Sequence, residues 1–383
     1  MFKVAIGHSN DFVSQTAIAD AIAQCQETLA GIKPQAGILL AGIEFDREVI
    51  LQEVNQVFPD LALIGGTTDG EISSVLGFEQ DSLVLMLFCS DRIQIRAGIG
   101  HNLSQDPQAA AKSAIAQARC HTDEVALCLT LPESLTTSAV IVLDSLKTAL
   151  DNQTPIFGGL TADGWQFQQT YQFFKNEVYS DALPVLLFSG PLLFSHGVAS
   201  GWQPIGKPGR VTKVEHNVIY EIDNCPAIEF YHHYIGPRPP SSEYPLAVFA
   251  EGNEGFYLRA PSSTYDPESG SVSFFGDIPL NACVQISEAG RDRILSASQA
   301  SMQQALQHYP GHDPLAALFF SCTSRRQLLG TRTQEEYQLV QQCGHQNLVS
   351  CGFYTNGEIA PLQQKSTSCF HNETFITLLL GEA

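Results

Sequence analysis

The chain has 383 residues, enough for two domains of ordinary size, and 44% of them are hydrophobic, which argues against disorder. Its 40 acidic and 20 basic side chains give a net charge of −20 with no basic stripe, which argues against nucleic acid and an anionic membrane as partners. No apolar run approaches the ~18–20 residues of a membrane span and the N-terminus shows no signal-peptide pattern, so the expected location is the cytoplasm. The ten cysteines are scattered, without a C-x-x-C pair, and read as free thiols.

In chain order, residues 11–30 form a helix with Ile18, Ile22, Cys25 and Leu29 on one face and Asn10 or Asp11 as cap. A buried strand follows at 36–42. A helix over 46–57 turns Ile50, Val54 and Val57 inward, and "LALIGG" leads into a T-T-D-G turn. Strands at 82–89 and 93–100 close a first unit of about 1–103. The order then recurs over 104–203: a helix opened by Asp106 and Pro107, the strand 125–131, and a helix with Ala139, Leu143, Leu146 and Leu150 on one face. "PIFGG", its turn and two more strands complete that copy. A different, strand-rich segment with one helix at 226–234 occupies 204–285. A partial third copy covers 286–383, with helix 287–308, strand 314–322 and a T-x-x-E capping box at Thr333 and Glu336. The expected fold is α/β. It has two domains, 1–203 and 204–383, built of repeated α-β-α-β-β units whose mixed sheets are flanked by helices.

Each unit ends a buried strand in glycine followed by hydroxyl and acid or amide: Thr67, Asp69 and Glu71; Thr161 and Asp163; Thr355, Asn356 and Glu358. Such a turn either joins two strands and nothing more, or presents donors and acceptors at the carboxyl ends of sheet strands, where ligands bind. The third copy is the richest. Its loops "SCTSRRQLLG", "GFYTNGEIAP" and "CFHNET" are expected to bring Cys322, Arg325, Tyr354, Glu358 and Asn372 together. There Arg325 would face Glu358 and hold a small zwitterion, with Tyr354 packed on it. An Arg–Glu pair that only ties two loops is the alternative.

These C-terminal motifs, together with "LIGGTTDGEI", "FGGLTAD" and "VTKVEHNVIYEIDNCPAIEFYHHYIG", resemble the FIST-domain proteins over nearly the whole chain. The resemblance implies an N-terminal and a C-terminal FIST domain in a bacterial intracellular sensory module, signalling through a separate partner such as a histidine kinase. The positions that match are Cys322, Arg325, Gly352, Tyr354, Gly357, Glu358, Asn372 and Thr374. Some family members resemble haem-binding nitric-oxide sensors. Here His232 and His233 in "FYHHYIG" would be the axial candidates, and His196 and His371 weaker ones. Otherwise no cofactor and no metal is expected. A cysteine enzyme using Cys322 with His371, and a scaffold without a ligand, complete the alternatives. Since no catalytic signature is present, the expectation is a sensor and not an enzyme.

Overall fold

The computed structural model describes residues 1–119, 124–249, 255–344 and 348–383; Cys120 lies outside them. Its helices are α1 (Ser14–Leu29), α2 (Arg47–Val57), α3 (Pro107–Ala118), α4 (Ala139–Ala149), α5 (Ala227–Ile235), α6 (Arg291–His308), α7 (Thr323–Leu329) and α8 (Thr333–Cys343). Three six-stranded mixed sheets turn their inner faces to one apolar cluster that includes Phe88, Phe157, Phe188, Phe320 and Phe353. Helices cover the outer faces, α1 and α2 on the first sheet, α3 and α4 on the second, α6 and α8 on the third. A fourth sheet, with α5, has its own core around Tyr231 and Phe274.

Sheet pairing sets the repeat boundaries. The first sheet runs Lys3–Ser9, Leu83–Cys89, Ala36–Gly42, Ala62–Thr68, and the second runs Gln94–His101, Ala182–Ser189, Val125–Thr130, Ile156–Gly159 in the same order. The third runs Leu192–Ala199, Phe375–Glu382, Ala316–Cys322, Val349–Thr355. The strand at 94–101 therefore opens the second unit instead of closing the first, and Leu192–Ala199 opens the third. The third unit is complete. Its first strand is parted from the rest by the fourth sheet, which spans Gln203 to Glu288.

Each of the three six-stranded sheets is finished by a hairpin from another unit. Glu71–Ser73 of the first unit joins the third sheet, Gln172–Phe174 of the second joins the first, and Glu358–Pro361 of the third joins the second. The recurring glycine turn is the crossover. It carries the chain from its own sheet into its neighbour's, so three copies interlock in a ring.

Two local devices recur with the unit. A Cβ on Gly7, Gly98 or Gly197 would lie 2.0, 2.0 or 1.9 Å from the carbonyl oxygen of Ala21, Ala114 or Ser301, so glycine in each first strand lets α1, α3 or α6 lie against the sheet. A left-handed acid precedes each last strand: Asp81 (φ 54°), Asp181 (φ 60°) and Glu373 (φ 61°). Aspartate tolerates that conformation better than glutamate.

Several local expectations are corrected. Helix α1 begins at Ser14, after an Asp11 carboxylate that accepts from the Val13 amide and caps nothing. Val57 is exposed and Leu51 takes its inward place. The loop after Cys322 is a helix, α7. At α8 there is no capping box, because Glu336 points into the protein. Asp106 and Pro107 start α3 as expected, with the Asp106 carboxylate accepting from Ala109 at 2.9 Å. Among the described residues no helix is long and apolar enough to cross a membrane, and the nine described cysteines are unpaired.

Candidate functional site

The strand glycines Gly65, Gly158 and Gly352 are equivalent, since a Cβ on each would run into the backbone carbonyl of its partner residue on the parallel strand, Leu39, Thr130 and Phe319. Thr68, not Thr67, is thus the counterpart of Thr161 and Thr355. These turns meet one another. Ala162 donates its amide to the Thr67 carbonyl, Asp69 to Tyr354, and Leu160 to Gly357. The side chains are spent on the same interlock. Thr67 Oγ1 accepts from the Tyr171 amide at 3.1 Å, Thr161 Oγ1 lies 3.1 Å from the Pro132 carbonyl, and Thr355 Oγ1 lies 2.6 Å from that of Leu160. Asp163 gathers the amides of Phe167, Gln168 and Gln169, and Asp69 is bound by Thr323 and by Arg326. For these five residues the connecting role accounts for the geometry.

Arg325 does not face Glu358. It is fully buried and pairs with Glu336, Nη2 to Oε1 at 2.7 Å and Nε to Oε1 at 3.1 Å. It also donates to the carbonyls of Ile294, Ser200 and Glu373 and to Ser298 Oγ. Glu336 in turn accepts from Ser298, Ser321 and the Tyr354 hydroxyl at 2.8, 3.0 and 2.6 Å, while the Tyr354 ring meets Phe78 edge-on. No donor of Arg325 is left for a ligand. The expected zwitterion clamp is instead a buried polar hub that fastens α6, α7, α8 and the turn before the last strand.

Behind the third turn lies a second buried group, of Cys322, Glu358 and Glu373. One oxygen of Glu358 accepts from the amide and hydroxyl of Thr374 at 3.0 and 2.7 Å; the other, and both oxygens of Glu373, make no hydrogen bond of good geometry among the described residues, with Cys322 beside the first acid and Ser324 beside the second. Burial pushes the Glu358 carboxyl up to about 8 and raises Glu373 and Cys322 far above their ordinary values, the Glu358 charge adding to the shift of both. A thiol held protonated is the reverse of an activated nucleophile. Iodoacetamide is therefore expected to label Cys322 at least about 100-fold more slowly than exposed Cys225 or Cys369, read by mass spectrometry of the digested protein. Rapid labelling of Cys322 would contradict this. In the first unit Glu71 is also buried. It accepts from Thr68 and from Ser82 at 2.5 Å, and Ser82 is joined by His8 to Ser73. Burial pushes Glu71 up to about 7 and His8 down to about 4.

Neither histidine of the "FYHHYIG" pair suits an axial haem ligand. His233 is exposed and His232 half-buried on α5, whose inward residues are Ala227, Ile228, Tyr231 and Ile235. His371 has its Nε2 2.9 Å from the Ala360 carbonyl and does not touch Cys322 in any hydrogen bond. Asn372 accepts from the Ala260 amide at 3.3 Å and so ties the third unit to the inserted sheet.

Asn356 is the expected residue that reaches open space. It lines a cleft of about 440 Å³ at the carboxyl ends of Val125–Thr130 and Ile156–Gly159. One wall is the hydroxyl-rich loop 134–138 and the start of α4. The other is the inserted sheet, at Asn217 and Phe274–Asp277. Ser138 is the N-cap residue of α4 but makes no capping bond; its hydroxyl crosses to Asp277 at 3.1 Å. The first-turn amides of α4, which have no intrahelical partner, thus lack a side-chain cap. Thr137 Oγ1 is buried without a partner, and Asn356 Nδ2 donates to Ser134 Oγ at 3.1 Å. Phe167 and Phe275 stack across the two walls at 5.8 Å. Residues 134–138 and Asp277 went unnoticed in the sequence. The signal was the run "ESLTTS" after a buried strand and before a helix, in the position where open α/β sheets bind ligands.

Two family models match the chain in order, the FIST N domain over residues 35–224 and the FIST C domain over 227–361. An uncharacterized protein of Mycobacterium tuberculosis H37Rv is 24% identical over 387 residues, spanning 94% of this chain and 95% of its own length. One from Methanocaldococcus jannaschii is 38% identical over 140 residues, 35% of this chain and 26% of its own. Among solved structures, cyanuric acid hydrolase from A. caulinodans aligns over 100% of this chain and 99% of its own, with a TM-score of 0.39 and 9% identity.

Proposed function

Because this chain belongs to the FIST family of sensory and signal-transduction domains, we propose that it senses a small amino-acid-like ligand in the cleft between its second unit and the inserted sheet. The observation that carries this reading is the uncapped N-terminus of α4 beside the unpartnered Thr137 hydroxyl. Free amides and the helix dipole favour a carboxylate there. Asp277, on the facing wall, is placed to take an ammonium group, and the Asn356 amide lies between. A ligand held by both walls would favour a closed arrangement of the insert against the repeats, and that change would be passed to a separate signalling protein such as a histidine kinase. In this reading the protein performs no chemistry on its ligand.

A thermal-shift screen of the amino acids and small carboxylates tests it. A ligand at 100 times its dissociation constant stabilises the folded chain by about 2.7 kcal/mol. The shift is expected to disappear in Asn356→Ala and Thr137→Val, which leave the hub around Arg325 untouched. If those variants respond as the wild type does, the ligand binds elsewhere. If nothing in the screen binds, the ligand-free scaffold becomes the better account.

A further inference from the structure

A second pocket, of about 560 Å³, lies at the other end of α4, between the second and third units. It is formed by the last turn of α4 and the segment 152–155, the edge strand at Phe194 and His196, the end of α6 at His308, and the loop 361–368. It shares no residue with the cleft described above.

His196 is 3% exposed, and neither of its ring nitrogens makes a hydrogen bond of good geometry among the described residues, the Pro361 backbone being the polar group beside it. A buried imidazole short of hydrogen bonds is costly, and burial keeps it neutral by pushing its pKa down to about 4, so it offers one donor and one acceptor. Its ring packs against the edge of Phe157, and its backbone carbonyl is held by Gln364 at 2.6 Å. The imidazole is thus fixed in place with at least one ring nitrogen uncommitted.

The charge around it is one-sided. In a chain with twice as many acids as bases, the described lining contains Lys147 and Lys365 and no aspartate or glutamate. Lys365 makes no ion pair among the described residues. Lys147 has one, a surface contact of 3.1 Å with Asp144 that a buried anion would outcompete. Between these cations the wall is apolar, supplied by Phe194, Pro155, Pro310 and Pro361. The volume suits a ligand of one or two rings.

We propose that this pocket binds a small organic anion with an apolar body. Lys147 and Lys365 hold its acid group, the body lies against Phe194 and the prolines, and a polar substituent reaches His196. The proposal is independent of the cleft and of what occupies it.

The probe is 1-anilinonaphthalene-8-sulfonate, an aromatic sulfonate whose fluorescence rises in apolar surroundings. One molecule is expected to bind per chain and to be displaced by benzoate and by phenyl phosphate but not by inorganic phosphate. Lys147→Glu with Lys365→Glu, both at the pocket rim, is expected to weaken binding about tenfold or more. His196→Leu is expected to abolish a preference for 4-hydroxybenzoate over benzoate while leaving the probe bound, and Asn356→Ala to change nothing. Equal binding to the Lys147→Glu, Lys365→Glu protein, displacement by inorganic phosphate alone, or the absence of saturable binding would each overturn the proposal.

Discussion

Glu336→Ala is expected to destabilise the protein by about 3–5 kcal/mol, because it leaves the fully buried Arg325 guanidinium without its counter-charge. It also strips the acceptor from Ser298, Ser321 and Tyr354. Equilibrium urea denaturation followed by tyrosine fluorescence reads the effect. Replacing both charges, as in Arg325→Met with Glu336→Leu, removes the unpaired ion yet is not expected to restore full stability. Arg325 also satisfies the carbonyls of Ile294, Ser200 and Glu373, each of which would lose a bond worth about 1 kcal/mol. A double variant as stable as wild type would show the pair to be dispensable. A Glu336→Ala protein within 1 kcal/mol of wild type would show that the hub is not a fixed structural element.

The second large effect is a stability that falls with pH. Unfolded, Glu358 titrates near the ordinary glutamate value of 4.5; folded, it does so at about 8. Between those values the folded chain holds a proton that the unfolded chain has released, so the contribution is complete below pH ~4.5 and is lost as pH rises through ~8. Glu71 acts in the same direction up to about 7. Glu358→Gln keeps the shape and carries no titrating proton. It also relieves Glu373 of a like charge. It is expected to be more stable than wild type at pH 8.5 by on the order of 3 kcal/mol, and close to wild type at pH 5. Melting temperatures of both proteins across pH 5–8.5 give the comparison. Parallel curves would mean that Glu358 is ionised in the folded protein at neutral pH.

The repeat was legible because hydrophobic periodicity and glycine turns survive in all three copies, and the helix starts at Asp106 and the faces of α1 and α4 follow directly from local chemistry. What the periodicity does not contain is which sheet a strand joins. The strands at 94–101 and 192–199 are adjacent in sequence to the units they leave, and only their pairing assigns them forward. The hairpin exchange is invisible for the same reason, and with it the structural purpose of Thr67, Thr161 and Asp163. In the sequence Arg325 reads as the anchor of a ligand facing Glu358, because its true partner is hidden by a plausible local role. Thr333-x-x-Glu336 looks like a capping box, while the buried guanidinium draws Glu336 inward. Glu373 was legible in principle. Asp81 and Asp181 stand at the same left-handed position in the other units, and aligning the three would have shown an acid that burial has made unusual.

The most direct test of the account is isothermal titration of the amino acid that gives the largest thermal shift into wild-type protein and into Asp277→Asn. One-to-one binding that weakens at least tenfold, or about 1.4 kcal/mol, when the far wall loses its charge is the predicted result, because the ligand then bridges repeat and insert. Binding of equal strength to both proteins would contradict the bridging site.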